Sequence, residues 1–364
     1  MTAMRSAWRS PWVQGSLLLL AVSLALVVFW LQGPDWGAVW GAFRFVVWSW
    51  IVLALLLNVA STLFRALSWS MTIGQALPER HHPKLVHVFS AFGVGLFANA
   101  VVPGRLGELA RVAILRRHLP DAPPGTTAAL VGTVFAHRLF DLVPATILVI
   151  WVLLTAEVPH WAVIALSIAV LVGSTLFAVA WLSARRRHRT VVREGVGKIR
   201  RLLGMARQGL SVLKAPAPLT AAIVFQCLGW GLQLLAVYAA MRAFGIDAGL
   251  PAAGLVLVLM NVATILPLWP GNVGLVQAAV ALPLRNYGVP YATGFAYGLA
   301  LQALEIACGV GLGLLALARE GISFAVLRRL ETDEPSAENA VAEVEEMVEE
   351  LEPESARASA PVPR

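Results

Sequence analysis

The chain has 364 residues, of which 58% are hydrophobic and only 13% charged, with a mean hydropathy of +0.74. Soluble domains carry about 25% charged residues, so this balance excludes a water-soluble globular protein and makes lipid the main solvent. The net charge of +7 is unevenly spread, because residues 331–354 hold 11 of the 21 acidic residues and no Lys or Arg. The basic remainder has no aromatic-interleaved stretch and no zinc-finger spacing. It therefore reads as loops lying on anionic lipid and excludes a nucleic-acid surface.

In chain order, Arg5 and Arg9 precede an apolar run at 12–32. That run is long for a signal-peptide core and lacks a small-x-small cleavage site, so it reads as a retained first span. Further spans are expected at 46–67, 126–154, 161–182, 218–243 and 291–318. The stretches 85–117 and 252–287 are apolar too, but each is broken near its middle by Pro-Gly. Cys227 and Cys308 sit in apolar surroundings without a metal-spaced partner and read as small buried hydrophobes.

The loop 183–214 carries ten Lys or Arg and one acidic residue. The positive-inside rule places it in the cytoplasm, together with both termini, and places 33–43, 155–160 and 244–250 outside. Arg80 and Lys84 before the first broken stretch, and Arg105, Arg111, Arg116 and Arg117 after its break, favour a re-entrant hairpin opening to the cytoplasm. For 252–287 a hairpin from the other side and two full crossings satisfy the same rule.

The breaks repeat. Pro103-Gly104-Arg105-Leu106-Gly107 and Pro270-Gly271-Asn272-Val273-Gly274 share P-G-x-x-G at a displacement of 167 residues. The spans before and after each break keep nearly the same displacement. The expected fold is thus an all-α polytopic membrane protein over 1–320, with units of about 46–154 and 218–318 in opposite topology. The acidic segment 321–364 reads as a disordered tail, with a short amphipathic helix carrying Val341, Val344, Val348 and Leu351 as the alternative. Recurrence of P-G-x-x-G by chance is the competing account.

A helix that starts after Pro-Gly exposes N–H groups with no intrahelical partner, a natural site for a phosphate or carboxylate. A simple kink is the alternative. Arg105, Glu108 and Arg111 fall on one helical face, within reach of mutual pairing. Arg138 and Asp141 lie mid-span at i,i+3, where ionisable groups are costly. Glu305 follows Arg138 by the repeat displacement, either as a counter-charge or proton carrier or as a structural Glu bonded near Gln302. Asn99 and Gln277 flank the breaks and either line a cavity or join helices. Arg65 and Arg242 are expected near span ends, snorkelling, and His137 reads as structural.

These residues carry a resemblance. Asn99 to Leu109 (NAVVPGRLGEL) with Arg111, then Arg138-Leu139-Phe140-Asp141, then Leu266 to Gly274 (LPLWPGNVG) with Gly288 resemble the transmembrane domain of lysylphosphatidylglycerol synthases, the flippase-like family. The likeness covers roughly 12–320. It implies an inner-membrane protein that moves or presents a lipid between leaflets, as this domain does for an aminoacylated phospholipid in full-length synthases. Here only the acidic tail follows the last span, so the synthase reaction is not expected. The family usually has an acid where His137 stands and often Glu where Gln277 stands, which bears on substrate and proton coupling.

The leading expectation is a lipid flippase with no enzyme activity and no cofactor. It would bind an anionic headgroup through Asn99, Pro103, Gly104, Arg105, Gly107, Glu108, Arg111, Arg138, Asp141, Pro270, Gly271, Asn272, Gly274, Gln277 and Glu305. Without a G-x-x-x-x-G-K-[ST] motif, an ion gradient or downhill movement must drive it. The alternatives are an embedded enzyme or accessory factor acting on a polyprenyl-phosphate glycoconjugate, and a structural partner in a larger complex. No H-E-x-x-H, G-x-S-x-G or Cys-His ligand spacing supports the enzyme.

Overall fold

A computed structural model describes residues 34–101, 107–123, 125–185, 215–265, 272–321 and 348. The expected first span at 12–32, Pro103 to Arg105, Pro270, Gly271 and the basic loop 186–214 lie outside these. Among the described residues every regular element is helical. In order they are α1 (Trp36–Phe43), α2 (Trp48–Ala76), α3 (Leu85–Val101), α4 (Gly107–Arg117), α5 (Thr126–Thr155), α6 (His160–Arg185), α7 (Pro216–Ala243), α8 (Leu250–Ile265), α9 (Leu275–Leu284) and α10 (Tyr291–Glu320).

Four of these, α2, α5, α7 and α10, are long and apolar enough to cross a membrane, and the 26-residue α6 has the length as well. The family of apolar side chains on their outer faces includes Leu56, Ile147, Ile150, Leu154, Ile164, Leu171 and Leu315, all exposed. Such a surface is stable only against lipid, and the chain is a multi-pass membrane protein. Exposed Trp48 and Trp50 at the start of α2, Trp161 at the start of α6 and Trp40 on α1 are placed as aromatic residues are at a membrane–water boundary. The loop expected over 33–43 is in fact largely helical: Asp35 caps α1 by accepting from the Ala38 N–H at 3.1 Å.

The broken stretches are shorter than a membrane. At about 1.5 Å per residue, α3 reaches ~25 Å and α4 ~16 Å, against ~30 Å of hydrocarbon. They fold back on each other. Asn99 accepts from the Gly107 N–H at 3.0 Å, Gly95 packs on Gly107 and Arg111, and at the mouth the rings of His87 and His118 stack at 3.9 Å. The first stretch is therefore a hairpin. In the second, the described helices are the 16-residue α8 and the 10-residue α9, ~24 and ~15 Å long, and residues 266–271 between them lie outside the described residues.

Two apolar cores result, one around each broken element. One joins the end of α2 from Ala66 onward and the following Leu77 to α3, α4, the start of α5 and the end of α10. Val348, from the tail, rests against it. The other joins the start of α2, the ends of α5 and α7, α8, α9 and the start of α10. Through the middle run α2 and α7. Ser61 donates to the Gly229 carbonyl at 2.7 Å and Ser68 to the Ala222 carbonyl at 2.8 Å, so one helix advances as the other recedes and the pair is antiparallel. Gly229 permits this approach, since a methyl there would stand 2.9 Å from the Arg65 side chain.

Candidate functional site

Between the two cores lies a band of polar side chains at the depth where none is cheap. Its first part is built on α4 and α5. Glu108, in the first turn of α4, is paired with Arg138, whose Nε donates to Oε1 at 2.6 Å. Arg138 Nη1 also donates to Asp141 Oδ2 at 3.4 Å. Asp141 Oδ1 accepts from Trp230 Nε1 at 2.9 Å and from Gln226 Nε2, which binds this chain of charges to α7. The i,i+3 pairing of Arg138 with Asp141 is thus present. The expected Glu108–Arg111 pairing is not, because Glu108 turns across to α5.

Arg111 goes elsewhere. It is only 4% exposed, and its guanidinium lies 4.7 Å from the Trp69 ring and 5.5 Å from the Phe92 ring. Stacking on aromatic faces suits a delocalised, weakly hydrated cation. Trp69 is held by its own bond from Nε1 to Thr133 Oγ1 at 3.1 Å, and Phe92 meets buried His137 edge-on. Yet Nε and Nη2 of Arg111 are buried with no hydrogen-bond partner.

The second part of the band joins α2, α7 and α10. Arg65 lies in the interior of α2, not at a snorkelling end as its sequence position suggested. Its Nη2 donates to Gln233 Oε1 at 2.5 Å and its guanidinium sits 5.2 Å from the Trp230 ring. Gln233 Nε2 in turn donates to Glu305 Oε1 at 3.5 Å. Three residues before Glu305 on α10 is Gln302. That residue accepts from Gln277 Nε2 at 2.6 Å, while Gln277 Oε1 accepts the Gly274 N–H at 2.6 Å. Arg242 is at a span end as expected and pairs with Asp247.

At the breaks, Asn99 and Gln277 serve as caps for the helices that follow. The Gly107 and Gly274 N–H groups are occupied, so neither is an open anion donor. Asn272 stands at φ 46°, a left-handed conformation that Asn tolerates, and donates from Nδ2 to the Ala263 carbonyl at 3.0 Å. The second break is thus a patch of neutral amides, and the charged groups cluster at the first.

Residues 16–313 match the model of the family described as the lysylphosphatidylglycerol synthase TM region. The chain belongs to this family. Within the synthase-TM family it is similar to a UPF0104 membrane protein of Methanothermobacter thermautotrophicus, 24% identical over 297 residues that cover 76% of this chain and 82% of the relative. It is also similar to a UPF0104 membrane protein of Pyrococcus horikoshii, 22% identical over 302 residues covering 75% and 87%. No solved structure matches. For this synthase-TM chain, the site residues that motif reading passed over are Trp69, Phe92, Gln226, Trp230 and Gln233, with Arg65 misassigned. One signal was available: Gln226 and Gln233 are seven residues apart in an otherwise apolar span, so they share a face.

Proposed function

We propose that this protein is a flippase-like transporter of the bacterial inner membrane, with both termini cytoplasmic. In this reading it takes an anionic lipid headgroup at the first broken element and passes it between leaflets without covalent chemistry. The observation that carries the reading is Arg111. A buried guanidinium with two open donors is expensive, by several kcal/mol, unless a partner completes it. A headgroup phosphate, with acceptor oxygens and a negative charge, supplies both. The acyl chains stay in lipid, against the exposed apolar faces of the bundle.

An inverted repeat gives such a site a way to face both leaflets. What supports the repeat is contact register. Gly93 on α3 meets Leu312 and Ala316 on α10, and Ser90 meets Glu320. Gly254 on α8 meets Trp151 and Val152 on α5. Moving Gly254 back and Trp151 forward by the 167-residue displacement lands on His87 and Ala318, on the same seam beside Ser90 and Glu320.

The test is mass spectrometry of lipids that co-purify in native nanodiscs, comparing the wild type with Arg111→Gln and Arg105→Ala. Enrichment of one anionic lipid in the wild type and its loss in both variants is the expected result. The same bulk lipids in the same proportions in all three samples would refute the headgroup site.

A further inference from the structure

We infer that Glu305 is a proton-binding site linked to headgroup capture, so that a proton and a lipid anion bind together. The inference rests on the proposed headgroup site. Glu305 lies at the middle of α10, with accessible surface, and among the described residues its one hydrogen bond is the 3.5 Å contact from Gln233. An intramembrane carboxylate held this loosely is not a structural pair.

The surroundings select a proton over a metal cation. Gln233 presents its NH₂ to Glu305 because its carbonyl oxygen is held by Arg65 at 2.5 Å. A sodium ion would therefore find one carboxylate, an amide donor and a nearby guanidinium, where it needs a shell of oxygens. From α2 the charged group facing Glu305 is Arg65; from α7 it is neutral Gln233; α1 and α9 carry no titratable side chain, and α3 carries only His87, at its far end. One turn on, Cys308 Sγ lies 3.9 Å from Thr62 Oγ1.

The charge balance gives the direction of the linkage. Among the described residues the band holds three cations, Arg65, Arg111 and Arg138, and three anions, Glu108, Asp141 and Glu305. With Glu305 ionised these six charges cancel, and Arg105, which the headgroup reading also assigns to the site, lies outside the described residues. A proton on Glu305 adds one positive charge to the band, which favours an anionic headgroup. The route between the sites is continuous: Glu305 to Gln233 to Arg65, Arg65 over Trp230, Trp230 to Asp141, then Arg138 and Glu108 on the α4 turn that carries Arg111. When Glu305 is neutral, Arg65 is drawn toward Asp141. That loosens the hold of Asp141 on Arg138. By linkage, a headgroup on the site favours protonation of Glu305 to the same degree.

The experiment uses the full chain in nanodiscs and has two readouts. Infrared difference spectra across a pH titration report protonation of a carboxylic acid. Binding of phosphatidylglycerol, measured at an acid and an alkaline pH, reports the linkage. The expected wild-type result is a titrating carboxyl band that is missing in Glu305→Gln and kept in Asp141→Asn, with phosphatidylglycerol bound more tightly at acid pH. Site–site couplings run roughly 5–150-fold, and the acid preference should fall in that range and vanish in Glu305→Gln. Gln233→Leu keeps the carboxyl and cuts the route, so it should retain the band and lose the preference. A band unchanged in a folded Glu305→Gln protein, or an acid preference that survives in it, overturns the proposal. Wild type that binds phosphatidylglycerol equally at both pH values overturns the linkage and leaves the headgroup reading intact. A titrating Glu305 band with no phosphatidylglycerol binding at any pH overturns the headgroup reading and the linkage with it, and keeps the proton site.

Discussion

Replacing Gly107 by Ala tests whether the first broken stretch is closed as a hairpin. A methyl group there would overlap the Gly95 carbonyl oxygen and stand 2.6 Å from the Asn99 side chain that accepts the Gly107 N–H. The nearest obstacle is backbone, so no side-chain rotation relieves it, and α3 and α4 must separate. Overpacking of this kind costs up to about 3 kcal/mol, and the disturbed Asn99 cap adds about 1. The gain in helix propensity from Gly to Ala returns about 1, so the net loss is near 3 kcal/mol. Gly231 on α7 is the control, since a methyl there meets nothing within 4 Å and the same substitution should be neutral or stabilising by up to about 1 kcal/mol. Thermal unfolding followed by tryptophan fluorescence, on both variants in the same nanodiscs, measures the difference. A Gly107→Ala protein that melts with the wild type would show that α3 and α4 are not in contact, and the placement of Arg111 would fall with it.

Three further outcomes are expected. Trp69→Phe keeps a ring beside Arg111 but removes the donor to Thr133, so stability should drop by about 1 kcal/mol while anionic lipid still co-purifies; Trp69→Leu should lose the lipid as well. Arg138→Met strips Glu108 and Asp141 of their shared cation. Because Arg138 is about half exposed, the cost in melting stability should be near 1–2 kcal/mol, below that of a fully buried pair, and a loss of 5 or more would refute this. Asp247→Asn removes an ion pair whose carboxylate is 92% exposed, and melting should not change measurably.

Much of the architecture follows from composition and spacing. The apolar runs at 126–154 and 291–318 become helices Thr126–Thr155 and Tyr291–Glu320, because a backbone in hydrocarbon must satisfy its own hydrogen bonds. The Pro-Gly breaks were legible for the same reason, since Pro lacks the N–H that a continuous helix needs. The i,i+3 pair of Arg138 and Asp141 was legible because one helix places both on one face.

The remainder was decided by elements far apart in sequence. Nothing local to 252–287 distinguishes a hairpin from two crossings. Arg65 read as a snorkelling residue because its span looked to end at 67, whereas α2 continues to Ala76 and puts Arg65 beside Gln233 and Trp230. Glu108 had one basic neighbour three residues ahead and another three behind, and spacing favoured both over a partner 30 residues away. The packing of α4 on α5 chose Arg138, because a charge taken from water gains most from the nearest opposite charge in the same low-dielectric band. The sequence by itself determined a membrane protein with two broken helices and a handful of costly charges. The tertiary structure alone decided which charges pair, and so left Arg111 with open donors and Glu305 loosely held.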